Sequence, residues 1–252
     1  MLEHTLLSLK AAGIQEITLV IGYHGMKIKS YFDDGTTLGL RLTYIEQEHP
    51  LGTAKAISLA EHYVEGEDFL VVYGDLLLSP NVFTDILMRN RSGVGIAMGV
   101  VPVPNPSQFG VVQVEDGFVK AISEKPAEPV EGNLINAGVY IFPGDVFRDI
   151  KKTKMSQRGE FEITDTLQSF IRKGESIGAV FLSAKNWLDI GRPWDLLEAN
   201  ERVLSRTELR VQGVVEEGVH RVGPVGVEAG ATIRSGASFE GPVLVCKGSD
   251  VG

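Results

Sequence analysis

The chain has 252 residues, 43% hydrophobic and 23% charged, which is the composition of an ordinary soluble globular protein. A formal charge of −9 argues weakly against a nucleic-acid partner, and one cysteine, Cys246, excludes an intrachain disulfide and a cysteine-rich metal site. No apolar run reaches the ~18 residues needed to span a bilayer, and MLEHTLLSLK lacks a signal peptide's basic start and cleavage site; no membrane partner and a cytoplasmic location are expected.

Helical and strand patterns alternate from the start. Leu2, Leu6 and Leu9 stand at helical spacing, and Gly13 stops the run. EITLVI reads as a buried strand, GMKIKSYF as a short helix and LRLTYIEQ as a strand. A helix is expected over 53–63 after Gly52, then a buried strand FLVVY that halts at Gly74-Asp75. Ser79-Pro80 is an N-cap and first-turn pair for a helix over 81–90. This alternation predicts parallel βαβ units in a Rossmann-like, doubly wound sheet.

The middle of the chain differs. GIAMGVVPV, FGVVQVED and FVKAISEKP are three successive strands, and Asp116-Gly117 is a hairpin turn between the last two. NLINAGVYIF is another strand; helices over 164–172 and 193–204 flank the strand SIGAVFLS. The parallel half thus runs into a mixed half, and ligands are expected outside the carboxyl ends of strands.

From about 213 the period becomes six. Val215, Val227, Ile233, Phe239, Val245 and Val251 keep that spacing, with Arg221 the one misfit. Small or slim residues recur at 225, 231, 237, 243 and 249. This repeat resembles the hexapeptide left-handed parallel β-helix, of which 215–252 supply about two coils where at least ~3 repeats are needed to bury a core. The domains expected are 1–205, a linker over 206–212, and a partial β-helix over 213–252.

Five segments could carry chemistry, and each also has a plain structural reading. Asp75, after Gly74, would point a carboxylate into a cleft where Mg²⁺ could sit, or would cap a turn. Gly52-Thr53 opens a helix to a flat ligand, with Gln47 nearby able to read a base edge, or simply starts the helix. Glu124-Lys125-Pro126 offers an acid for sugar hydroxyls and a lysine for a phosphate, or is a solvated strand end. Asn136, inside an apolar strand, needs a partner for its amide, either a bound sugar or a backbone cap. Asp189, before Gly-Arg-Pro, could meet Asp75 across the cleft or cap the next helix.

Their order is more specific than any one of them. GTA, then GD after an apolar strand, FGVV, EKP, NAGVY, GEFEITD, WLDIGRPWDLLEAN and hexads resemble the sugar-phosphate nucleotidyltransferase family. The likeness is greatest to archaeal-type enzymes that join such a domain to a β-helical acetyltransferase. Glucose-1-phosphate thymidylyltransferases and mannose-1-phosphate guanylyltransferases follow. The resemblance implies that Gln47, Gly52, Thr53 and Gly74 serve the nucleotide, Asp75 and Asp189 hold Mg²⁺, Gly110, Glu124 and Asn136 hold the sugar, and Lys125 holds its phosphate. It implies transfer of a nucleotidyl group from UTP or dTTP to glucose-1-phosphate or N-acetylglucosamine-1-phosphate, with release of pyrophosphate. A homo-oligomer is expected.

One departure matters. The family begins with a buried strand, a glycine-rich loop with a Thr-Arg pair, and a Pro-Lys segment, whereas Met1-Leu2-Glu3-His4 matches the helix that follows them. The expectation is a fragment of a longer protein, inactive or weak by itself. The competing reading is a shortened, non-catalytic relative that binds a nucleotide sugar. The hexad segment is too short to assign acetyl transfer.

Overall fold

The computed structural model describes residues 1–64, 66–90, 95–128 and 130–252. They divide into two compact units, Met1–Asp189 and Ile190–Gly252.

The first unit opens with α1 (Leu2–Ala11), β1 (Glu16–Ile21), α2 (Gly25–Phe32) and β2 (Arg41–Glu46). The helix expected over 53–63 forms as two pieces, α3 (Thr53–Ser58) and α4 (Glu61–Val64). Then come β3 (Phe69–Val72), β4 (Leu76–Leu78) and α5 (Pro80–Asn90). The rest is β5 (Ile96–Pro102), β6 (Gly110–Glu115), β7 (Phe118–Glu124), β8 (Leu134–Phe142), α6 (Phe147–Ile150), α7 (Ile163–Arg172), β9 (Ile177–Phe181) and β10 (Trp187–Asp189).

The unit is α/β with a central mixed sheet of six strands, ordered β3-β8-β5-β9-β7-β6. Within it only β5 and β9 run parallel; β3 and β5 both lie antiparallel to β8. The uniformly parallel first half that the alternation suggested is therefore confined to β1 and β2, which pair with each other in a separate sheet. Chain-order alternation fixes which elements form but not which strand lies beside which.

Two apolar layers sandwich the central sheet. On one face, Ile163, Leu167 and Phe170 of α7 line up at helical spacing with Ala54 and Ile57 of α3 and Phe147 and Ile150 of α6. On the other face lie Leu9 of α1 and Val82, Phe83 and Ile86 of α5. β8 shows the division. Ile135, Ala137, Val139 and Ile141 join the second layer, whereas Tyr140 and Phe142 join the first. That alternation places Asn136 on the same face as Tyr140.

In the second unit, α8 (Asp195–Leu204) precedes seven short strands: β11 (Val214–Val215), β12 (His220–Val222), β13 (Val225–Val227), β14 (Thr232–Ile233), β15 (Ser238–Glu240), β16 (Val243–Val245) and β17 (Asp250–Val251). They form three short parallel sheets, β11-β14-β17, β12-β15 and β13-β16. Each pairing joins residues 18 apart, such as Val214 with Thr232, His220 with Ser238 and Val225 with Val243. Val227, Ala231, Ile233 and Val245 are buried together, packed by Val215, Phe239 and Val251. Arg221, the misfit in the repeat, lies exposed.

Candidate active site

The turn after β3 is held from below. Thr5 and Ser8 of α1 donate their hydroxyls to the Leu76 and Leu78 carbonyls at 2.7 and 3.0 Å, so the helix grips both ends of β4. Gly74 and Asp75 form the turn leading into that strand. A Cβ at Gly74 would meet no heavy atom within 4 Å, so packing does not demand glycine there. β10 then runs antiparallel to β4, with Asp189 opposite Leu76. Asp75, in the turn, and Asp189, at the end of β10, are thereby near neighbours along the backbone although remote in sequence. Both strands are too short for alternation to reveal them in the sequence. Asp75 is exposed by surface area, yet the low-dielectric protein beside its carboxyl pushes its pKa above the usual aspartate value.

The candidate sugar residues converge. Gly110, the first residue of β6, pairs with Glu124, the last of β7. A Cβ at Gly110 would lie 2.9 Å from Glu124 Oε2, 3.4 Å from Thr164 Cγ2 and 3.5 Å from Asn136 Cβ. Glu124, Asn136 and Thr164 thus close in around Gly110, where a side chain would be crowded. Glu124 accepts the Thr164 hydroxyl at 3.1 Å and lies 3.5 Å from Arg158 Nη1, which is equally far from Glu162. Burial, then the negative charge of Glu162, raises the pKa of Glu124. Lys125 is exposed, and its charge partly offsets that rise. It has φ +39°, a conformation uncommon for a non-glycine residue, fixed by its N–H bonding to the Phe109 carbonyl at 3.0 Å.

Asn136 has protein partners. Its Oδ1 accepts the Gly138 N–H at 3.1 Å and the Tyr140 hydroxyl at 2.7 Å, and Tyr140 lies 3.1 Å from the Tyr73 hydroxyl. The backbone-cap reading therefore accounts for the oxygen of the amide. Burial raises the Tyr73 pKa to about 12, and the charges of Glu124 and Asp75 both reach it.

The candidate nucleotide residues are placed less tightly. Gly52 has φ +102°, and a Cβ there would lie 2.6 Å from the Phe161 carbonyl oxygen. Backbone approach by Phe161 therefore explains this glycine without any ligand. Thr53 Oγ1 accepts the Ile163 N–H at 3.0 Å, capping α7. Gln47 follows β2, its N–H bonded to the Ile21 carbonyl at 2.7 Å. Its side-chain Nε2 is buried with no hydrogen-bond partner.

Sequence reasoning assigned no role to Tyr73, Tyr140, Arg158, Glu162 or Thr164. The signals were present: hydroxyls ending FLVVY and NAGVY, and polar residues inside GEFEITD, of which Glu162 and Thr164 are buried. No group of three or more His, Cys, Asp or Glu able to hold a metal occurs among the described residues. No helix among them is long and apolar enough to cross a membrane.

Known proteins share this arrangement. A family model described as nucleotidyl transferase matches residues 1–206. The low-salt glycan biosynthesis nucleotidyltransferase Agl11 of Haloferax volcanii is 39% identical over 219 residues, covering 86% of this chain and 60% of that protein. The bifunctional protein GlmU of Methanococcus maripaludis is 35% identical over 223 residues, 88% of this chain and 51% of that one. The chain therefore spans between half and two thirds of the length of these curated relatives. A crystal structure described as a Bacillus anthracis glucose-1-phosphate thymidylyltransferase with sucrose superposes with a TM-score of 0.69 at 28% identity, covering 79% of this chain and 80% of that one. Sequence, fold and the convergence of the motif residues agree: this chain belongs to the sugar-1-phosphate nucleotidyltransferase family.

Proposed function

We propose that this protein transfers a nucleotidyl group from UTP or dTTP to glucose-1-phosphate or N-acetylglucosamine-1-phosphate, releasing pyrophosphate. The observation that carries this reading is the β4–β10 pairing, which brings Asp189 opposite Leu76 and hence beside Asp75. A pair of carboxylates suits Mg²⁺, which takes only oxygen and keeps positions for water and substrate phosphates. Asp75 and Asp189 would hold that ion, which when bound neutralises charge on the phosphates.

The chain's own residues position the reactants. Gln47 supplies an unpartnered donor for a base carbonyl, and Gly52 and Thr53 form the surface beneath the base. Gly74 leaves backbone open to phosphate. Gly110, Glu124 and Asn136 take the sugar hydroxyls, and Lys125 takes the sugar phosphate. Reaction is an in-line attack of a sugar-phosphate oxygen on the α-phosphorus, and positioning with charge neutralisation supplies the rate. Domain limits of 1–205 and 213–252, a left-handed sense for the 18-residue coils, a cytoplasmic location and a homo-oligomer belong to the same reading. The 18-residue register and the buried column of small apolar residues support the β-helix.

The test is pyrophosphate release from UTP or dTTP across the two sugar phosphates, with and without Mg²⁺, for wild type and Asp75→Asn. The 252 residues by themselves should turn over weakly, because they contain no glycine-rich Thr-Arg segment to grip the triphosphate. A chain extended upstream with such a segment should be Mg²⁺-dependent and lose about 100-fold in rate with Asp75→Asn. Equal rates for the two extended chains would sink the assignment. Tight nucleotide-sugar binding without turnover in the extended chain would favour a regulatory relative.

A further inference from the structure

The hydrogen bonds that end on Asn136 run in one direction, and the Asn136 end fixes it. Asn136 Oδ1 receives the Gly138 N–H at 3.1 Å and the Tyr140 hydroxyl at 2.7 Å. A backbone N–H there identifies the atom as the carbonyl oxygen of the amide, not its nitrogen. Tyr140 has committed its proton to Asn136, so Tyr73 must donate across the 3.1 Å between the phenols. Tyr140 then accepts once and donates once, and such linked hydrogen bonds strengthen one another in a low-dielectric interior.

Tyr140 has no exposed surface and cannot touch a ligand. Its effect must pass through Asn136. With Oδ1 doubly occupied, Nδ2 is the amide atom left for a ligand, and Asn136 and Glu124 are near neighbours, both within 3.5 Å of a Cβ built at Gly110. One donor near one acceptor suits a sugar hydroxyl pair, whereas a rotated amide would set an acceptor near a carboxylate and repel the same ligand.

We propose that Tyr73 and Tyr140 are positioning residues whose hydroxyl relay locks the Asn136 amide with its nitrogen toward the sugar. The inference rests on the assignment of Asn136 as a sugar ligand. Calorimetry on the 252-residue chain with UMP and UDP-glucose, or dTMP and dTDP-glucose, separates the two. If wild type binds no member of either pair, the functional reading fails. The relay is then judged without ligand by proton NMR, where a slowly exchanging Tyr140 hydroxyl signal should be present, shift in Tyr73→Phe and vanish in Tyr140→Phe. Absence of that signal in the wild type overturns the relay.

Where wild type binds, Tyr140→Phe and Tyr73→Phe should each weaken the nucleotide sugar about tenfold and leave the nucleoside monophosphate within about twofold, the worth of one hydrogen bond. The double variant should be no weaker than Tyr140→Phe alone, because both changes cut one chain. Nucleotide-sugar affinity unchanged in both single variants overturns the proposal. So does equal loss of both ligands, which marks damage to packing.

Discussion

The candidate sugar residues and the candidate nucleotide residues are held by the fold differently. Around Asn136 and Glu124 the polar atoms are cross-linked: Thr164, Arg158, Tyr140 and Gly138 hold them at 2.7 to 3.5 Å. Around Gln47 they are not, and a buried amide nitrogen lacks a partner. The contrast teaches that the fold cross-links one set of candidate residues and leaves a buried donor unmet in the other. Cross-linked groups need little ordering on binding, whereas an unmet buried donor costs stability.

The contrast is most sharply strained by Gly52→Ala. A Cβ there would lie 2.6 Å from the Phe161 carbonyl oxygen at φ +102°, so α3 or the Phe161 segment must move. Thermal or denaturant unfolding should show a loss of about 3 kcal/mol, as for overpacking with backbone strain. A loss below about 1 kcal/mol would mean that this junction yields freely.

Glu124→Gln probes the cross-linked set. Its pKa is raised in the folded state, by burial first and by Glu162 second. Folding then favours the protonated form, so this contribution to stability is complete below the unfolded carboxylate pKa and is lost as pH rises through the raised folded value. In Glu124→Gln the melting temperature should therefore fall less between pH 4 and neutrality than in wild type. Nucleotide-sugar affinity should drop about tenfold. A pH–stability curve identical to wild type would remove the buried-charge account.

The smallest effect is expected at Gln47→Met, of similar length without the amide. Removing an unpartnered buried donor should leave stability unchanged or raised by about 1 kcal/mol, while base affinity falls. A clear destabilisation would show that Nε2 has a partner in solution, and the two sets would then be alike.

Much of this was legible beforehand. Apolar period and glycine punctuation identify α7, β8 and the 18-residue coils, because those signals are local and repeat. The motif order marked Gly110, Glu124 and Asn136 together, and the three lie close to one another. The nucleotide-side glycine was harder to read: Gly52 is explained by Phe161, far along the chain, and Thr53 caps α7. The relay tyrosines were overlooked because a hydroxyl at the end of an apolar strand looks like ordinary amphipathic packing until its partner is known.

The sequence by itself determined the α/β class, the change of period near residue 213, and the order of the family's motifs. Only the tertiary structure decided that β3 and β5 lie antiparallel to β8, that Asp189 pairs with Leu76, next to Asp75, and that the Tyr140 hydroxyl bonds to Asn136. The reason is range. Periodicity is set by neighbours within a turn or two of chain, whereas strand partners and the partners of buried polar groups come from segments tens of residues away.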